Sequence, residues 1–189
     1  DDAVADRITF VRADCFDEPE TPARNSDRDA PCDVCFVGNF SIGEIHHRRD
    51  LVRYLSQARE FLRADGRSVF VCDTYGGSSA WRTGGVTRVH VPRQPEVAAG
   101  LPSDHVRVIY TWEQREADPL TCRVRNVLHF RVERNGEIEQ ELGDAFDYRW
   151  RLWSAAELGE AMLDAGFSRV SLHDRLDVGA AQDARRESG

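Results

Sequence analysis

The chain has 189 residues, 41% of them hydrophobic and 31% charged, with a formal net charge of -8. That is the size and balance of one ordinary globular domain with a sizeable core. The acidic balance excludes a nucleic-acid phosphate binder, which needs clustered cations, and no apolar run approaches the ~20 residues of a membrane span.

Residues 7–13, RITFVRA, form an apolar strand that ends at Asp14-Cys15. Residues 17–31 hold three prolines and many charges and read as a loop or a poor helix. A second strand is predicted over 33–37. The loop Gly38-Asn39-Phe40-Ser41 follows it, with an amide and an aromatic ring at the carboxyl end of the strand. Leu51, Val52, Leu55, Ala58, Phe61 and Leu62 recur at helical spacing and predict a helix over 48–62. Asp65-Gly66 ends it. The run SVFVC, 68–72, is nearly continuous in apolar character and predicts a strand buried on both faces of a parallel sheet.

The character changes after Gly77. Residues 78–103 read as irregular and carry Pro92, Pro95 and Pro102. Three runs of β character follow, 106–115, 121–133 and 137–148, with Asn135-Gly136 as a hairpin signal between the last two. Ser154 and Glu157 match a capping box that opens a helix through Ala165, with Gly166 as its C-cap. A last strand is predicted over 169–173. Residues 176–189 have little to bury and are expected to be disordered. The expectation is therefore one α/β domain over 1–175 with an inserted antiparallel sheet within 78–153. In open α/β sheets ligands bind outside the carboxyl ends of the strands. Three ends are of interest: Asp14-Cys15, Gly38 to Ser41, and Asp73 to Gly77.

All 25 basic residues are arginine, which excludes P-loop phosphate recognition and Schiff-base chemistry on a lysine. Five scattered cysteines do not form a disulfide framework. Cys32-x-x-Cys35 is a redox or zinc half-motif, but it opens an apolar strand and has no second pair. It reads as small buried thiols, and no metal is expected. No secretory signal is visible, and a reducing, cytoplasmic setting is expected.

In this order and spacing the motifs resemble a class I S-adenosylmethionine (SAM) dependent methyltransferase of the small-molecule branch. RITFVRADCFD is similar to that family's third strand and its acidic end, CDVCFVGNFSIG to the fourth strand and the motif after it, and FLRADGRSVFVCDTYGG to the helix and fifth strand. YRWRLWSAAELGEAMLDAGFSRV is similar to the late helix and sixth strand. The resemblance implies a partial Rossmann-like sheet. It implies that Asp14 accepts from the adenine amino group, that Cys15 brings a backbone N–H to the ring, and that Asn39, Phe40 and Ser41 line the cofactor. The family's Gly-rich first turn has no counterpart in the sequence, nor has its second-strand acidic residue. The chain, whose first residue is Asp1, is therefore expected to be part of a longer enzyme and to bind SAM poorly by itself.

Methyl transfer mainly requires alignment of the acceptor with the activated methyl, and a base only where the acceptor must lose a proton. His129, in NVLHF, and His46 are the candidate bases, each with a structural reading beside it. Tyr75, Tyr110, Trp112 and Arg149 are the candidate substrate contacts. The alternatives are aromatic core under the inserted sheet, preferred for Trp150 and Trp153, and a solvated strand face for the arginines. The expected partner is a small molecule, with neither nucleic acid nor membrane. Two other readings stay open. A nicotinamide-dependent oxidoreductase is narrowed by the absence of lysine, which removes a Tyr-x-x-x-Lys pair. A non-catalytic interaction domain would use 106–148 as its partner surface.

Overall fold

The computed structural model describes residues 32–91 and 106–173. Its fold is mixed α/β, with a parallel sheet and an antiparallel sheet. The parallel sheet pairs β1 (Val34–Val37) with β2 (Val69–Cys72), Val34 opposite Val69 and Val37 opposite Cys72. Between them run a 3-10 turn, Ser41–Glu44, and helix α1, Arg48–Glu60. The inward residues of the sheet, Cys35, Val37, Phe70 and Cys72, pack with Leu51, Leu55 and Ala58 of α1. Trp153 and residues Leu158 and Ala161 of α2 (Ala155–Asp164) complete this core.

The other face of the parallel sheet is open, with Val34, Phe36 and Val69 exposed. This corrects the expectation of a β2 buried on both faces. Among the described residues both helices lie against the same face, so the apolar run reflects one packed side and one bare side. The expected strand at 7–13, with Asp14 and Cys15, and the tail 176–189 lie outside the described residues.

The antiparallel sheet has the order β3-β4-β5-β6, formed by Gly84–His90, Val106–Asp118, Arg123–Arg134 and Glu137–Arg151. Asn135 and Gly136 both have positive φ, 53° and 87°, and make the two-residue turn between β5 and β6. β3 falls in the stretch expected to be irregular. All of its residues are exposed, so it has no buried face to print a period-two pattern, and pairing with β4 alone makes it a strand. The strand expected at 169–173 does not form. Residues 169–173 pair with no described strand, and Val170 and Leu172 are exposed. Helix α2 starts and stops as its residues dictate. Ser154 and Glu157 form the reciprocal capping box. Gly166, at φ 93°, and Phe167 donate to the Leu163 and Met162 carbonyls, which closes the helix with a left-handed cap.

The two sheets meet through the last residues of β6. Trp150 Nε1 donates to Glu44 Oε1 at 2.7 Å, and Trp153 Nε1 to the Ile45 carbonyl at 2.9 Å. The Arg151 guanidinium lies 3.7 Å over the Trp153 ring and bonds the His46 carbonyl and Glu157. The end of β6 and the residues just after it thus tie the antiparallel sheet to the 3-10 turn, the residues that follow it and α2.

Candidate functional site at the carboxyl ends of the parallel strands

The loop after β1 takes an uncommon backbone path. Asn39 and Phe40 both have φ of 58°, in the left-handed region. Asparagine tolerates that region, whereas an aromatic residue enters it at a cost. The carboxylate of Asp73, the first residue after β2, offsets that cost. It accepts the Asn39 N–H at 3.1 Å and the Phe40 N–H at 2.8 Å. Ser41 Oγ donates to the Gly38 carbonyl at 2.9 Å. The parallel neighbour strand therefore sets the loop's shape. The Asn39 side chain is exposed and offers a donor and an acceptor to whatever lies at the strand ends.

The clamp also aims the Phe40 ring at the antiparallel sheet. Its centroid lies 5.0 Å from Tyr75, 6.0 Å from Trp150 and 6.1 Å from Trp112, each edge-on. The polar tips behind these rings form one chain. Trp112 Nε1 donates to Asn126 Oδ1 at 2.7 Å, and Asn126 Nδ2 to the Tyr75 hydroxyl at 3.1 Å. Tyr75 in turn donates to Gln114 Oε1 at 3.3 Å. Gln114 Nε2 donates to the Ala80 and Arg82 carbonyls at 2.7 and 2.9 Å. Burial pushes the Tyr75 phenol up, against the opposing effect of its bond from Asn126, so the hydroxyl stays protonated and can donate.

The structure brings Phe40, Tyr75 and Trp112 together, with the exposed Asn39 preceding Phe40 in the loop. Tyr110 lies further along the face that carries Trp112, its ring 5.3 Å from Phe130 and 6.4 Å from His90. His46 and Arg149 meet where β6 reaches the body, with His46 Nε2 2.6 Å from the Arg149 carbonyl. His129 is placed elsewhere. It follows Leu128, which pairs with Trp112, so alternation turns it to the opposite face of the sheet. There the Asp144 N–H donates to Nδ1 at 3.1 Å, so the ring proton sits on Nε2 and is donated to Glu113 at 3.0 Å. Arg115 bonds Asp144 through both terminal nitrogens, at 2.7 Å each. A groove of about 370 Å³ over His129 is lined by Thr87, Thr111, Arg131 and Glu141 among others. Asp14 and Cys15 lie outside the described residues.

Sequence reasoning missed Asp73 as a clamp, and Gln114 and Asn126 as the buried link. Asp73 carried a usable signal, an acid directly after an apolar strand and parallel to the loop. A polar residue in the inward phase of a strand carried none.

Among the described residues no helix is long and apolar enough to cross a membrane. No protein-family model matches the sequence, and no curated protein does. Solved structures similar to part of it include two methyltransferases. One is a SAM-dependent methyltransferase from Clostridium acetobutylicum, with 16% identity, a TM-score of 0.49, and coverage of 72% of this chain and 48% of that one. The other is the CcbJ methyltransferase from Streptomyces caelestis, with 20% identity, a TM-score of 0.41, and coverage of 73% and 47%. The chain spans about half the length of each.

Proposed function

We propose that the carboxyl ends of β1 and β2 hold SAM and that the chain serves methyl transfer to a small-molecule acceptor. The observation that carries this reading is the loop 38–41. Two left-handed residues, held on the Asp73 carboxylate, leave the Asn39 amide free at the strand ends and turn Phe40 into an aromatic wall. Strand ends of an open α/β sheet are where such ligands lie. The residues fit the group, with an amide to bond its polar atoms and rings to exclude water.

When bound, SAM supplies an activated sulfonium methyl. The chain's own part is alignment and dryness. Asp73 fixes the loop, Asn39 orients what it bonds, and Phe40 with the Tyr75 and Trp112 rings closes off solvent. Asp14 and Cys15 would serve the adenine end. Of the two histidines expected as bases, His46 is the one that follows the loop, and its Nε2 lies against the Arg149 carbonyl.

Calorimetric titration of SAM tests the reading, on the chain and on the chain extended upstream by one strand-helix-strand unit. Saturable binding by either form is the expected result. Asn39→Gly keeps the left-handed backbone and removes only the amide, and it should weaken that binding about tenfold, as loss of a hydrogen bond to a charged group does. Binding by neither form overturns the assignment and favours the interaction-domain reading.

A further inference from the structure

The antiparallel sheet has two edges, β3 and β6, and among the described residues neither edge is paired further. Their chemistry differs. β6 carries Glu137, Glu139, Glu141, Asp144 and Asp147, and its register is broken opposite His129 and again near Glu133. Charges and bulges are the devices by which edge strands resist pairing. β3 has neither. Its register with β4 is unbroken from Gly84 opposite Gln114 to His90 opposite Val108. It holds no acidic residue and no proline, and Arg88 is its single full charge. Val86 and Val89 are 60% and 48% exposed.

We propose that β3 is a self-association edge, pairing antiparallel with β3 of a second copy about a two-fold axis at Thr87. The pairing closes as a symmetric dimer and joins the two antiparallel sheets into one. In this register Thr87 stands opposite its own counterpart, Val86 opposite Arg88, Gly85 opposite Val89 and Gly84 opposite His90. Arg88 meets an apolar residue rather than another arginine, so no like charges oppose. Self-pairing of β6 would instead set an acidic strand against its copy. The contact is small, which places it with weak, concentration-dependent associations. This inference does not depend on the proposed methyl transfer.

Cysteine substitution on the full chain reads the register. Directly opposite residues of an antiparallel pair have Cα atoms ~4.5–5.5 Å apart, inside the span of a disulfide. The Thr87→Cys variant should therefore cross-link to itself under mild oxidation at least ten times faster than the parent chain. A cysteine at position 86 lies two residues out of register with its counterpart, roughly 8 Å away, and Val86→Cys should cross-link no faster than the parent. Sedimentation velocity should show a concentration-dependent dimer of the parent that Val89→Glu abolishes, with an unchanged far-ultraviolet spectrum. A parent that stays monomeric overturns the proposal. So does a dimer in which Thr87→Cys has no advantage over Val86→Cys, because that dimer uses another face.

Discussion

Asn126 has no exposed surface, and its amide accepts from Trp112 and donates to Tyr75. A buried amide used at both ends is costly to remove, because each abandoned partner keeps its desolvation penalty. Asn126→Ala should lower stability by about 2–4 kcal/mol in urea unfolding. Tyr75→Phe should cost less, about 1 kcal/mol, because Gln114 keeps its bonds to the Ala80 and Arg82 carbonyls. Equal losses would mean that the rings, not the polar chain, hold this junction. Residue identity alone did not disclose the role. Tyr75 and Trp112 were legible as aromatic groups with polar tips, but which residues engage those tips is set by strand pairing and packing.

Gly43 shows how closely the elements meet. A Cβ built there would lie 2.9 Å from Trp150 Cβ and 3.3 Å from the Arg151 carbonyl. Both are backbone-proximal atoms with little room to yield. At position 43 the 3-10 turn Ser41–Glu44 can therefore come this close to β6 only with a residue that has no side chain. Gly43→Ala should destabilise the chain by about 1–3 kcal/mol, the usual cost of overpacking. It should also alter the near-ultraviolet signal of Trp150 and Trp153, whose indoles bond Glu44 and Ile45. An unperturbed signal would mean that the turn moves as a unit and the contact is slack. At this scale the helices were legible because their signals are local, in spacing and caps. β3 and the missing strand at 169–173 were not, because an edge strand exists only by virtue of the neighbour that accepts it.

Across the whole molecule, the arginine and carboxylate pairs of the antiparallel sheet make its stability depend on acid. The bond from His129, and next that from Arg115, hold Glu113 below the usual carboxylate range. Arg115 does the same for Asp144, and Arg125 for Asp147. A carboxylate whose folded pKa is depressed stabilises the fold above its unfolded value, about 4, and loses that contribution as pH falls through the folded value. Stability should therefore be flat from pH 7 to about 5 and decline below about 4. The pairs are largely exposed, so the decline should be modest. Urea midpoints between pH 7 and 3 measure it. The Arg115→Met, Arg125→Met double variant should show a shallower decline, and an equal slope would place the acid sensitivity elsewhere.

Local chemistry, by itself, determined the α/β class, α1 and α2, the Ser154 capping box, the Gly166 cap and the Asn135-Gly136 turn. Each of these is specified by residues within a few positions of one another. The loop at 38–41 was legible as a place of interest for the same reason. Tertiary structure alone decided that Asp73 clamps that loop, that His129 faces away from it, and that Tyr75 and Trp112 are tied down through Asn126 and Gln114. Alternation along a strand says that neighbours point to opposite faces, but not which face meets the body. That choice is made by the end of β6, where Trp150, Arg151 and Trp153 seat the whole sheet on the turn and helices below it.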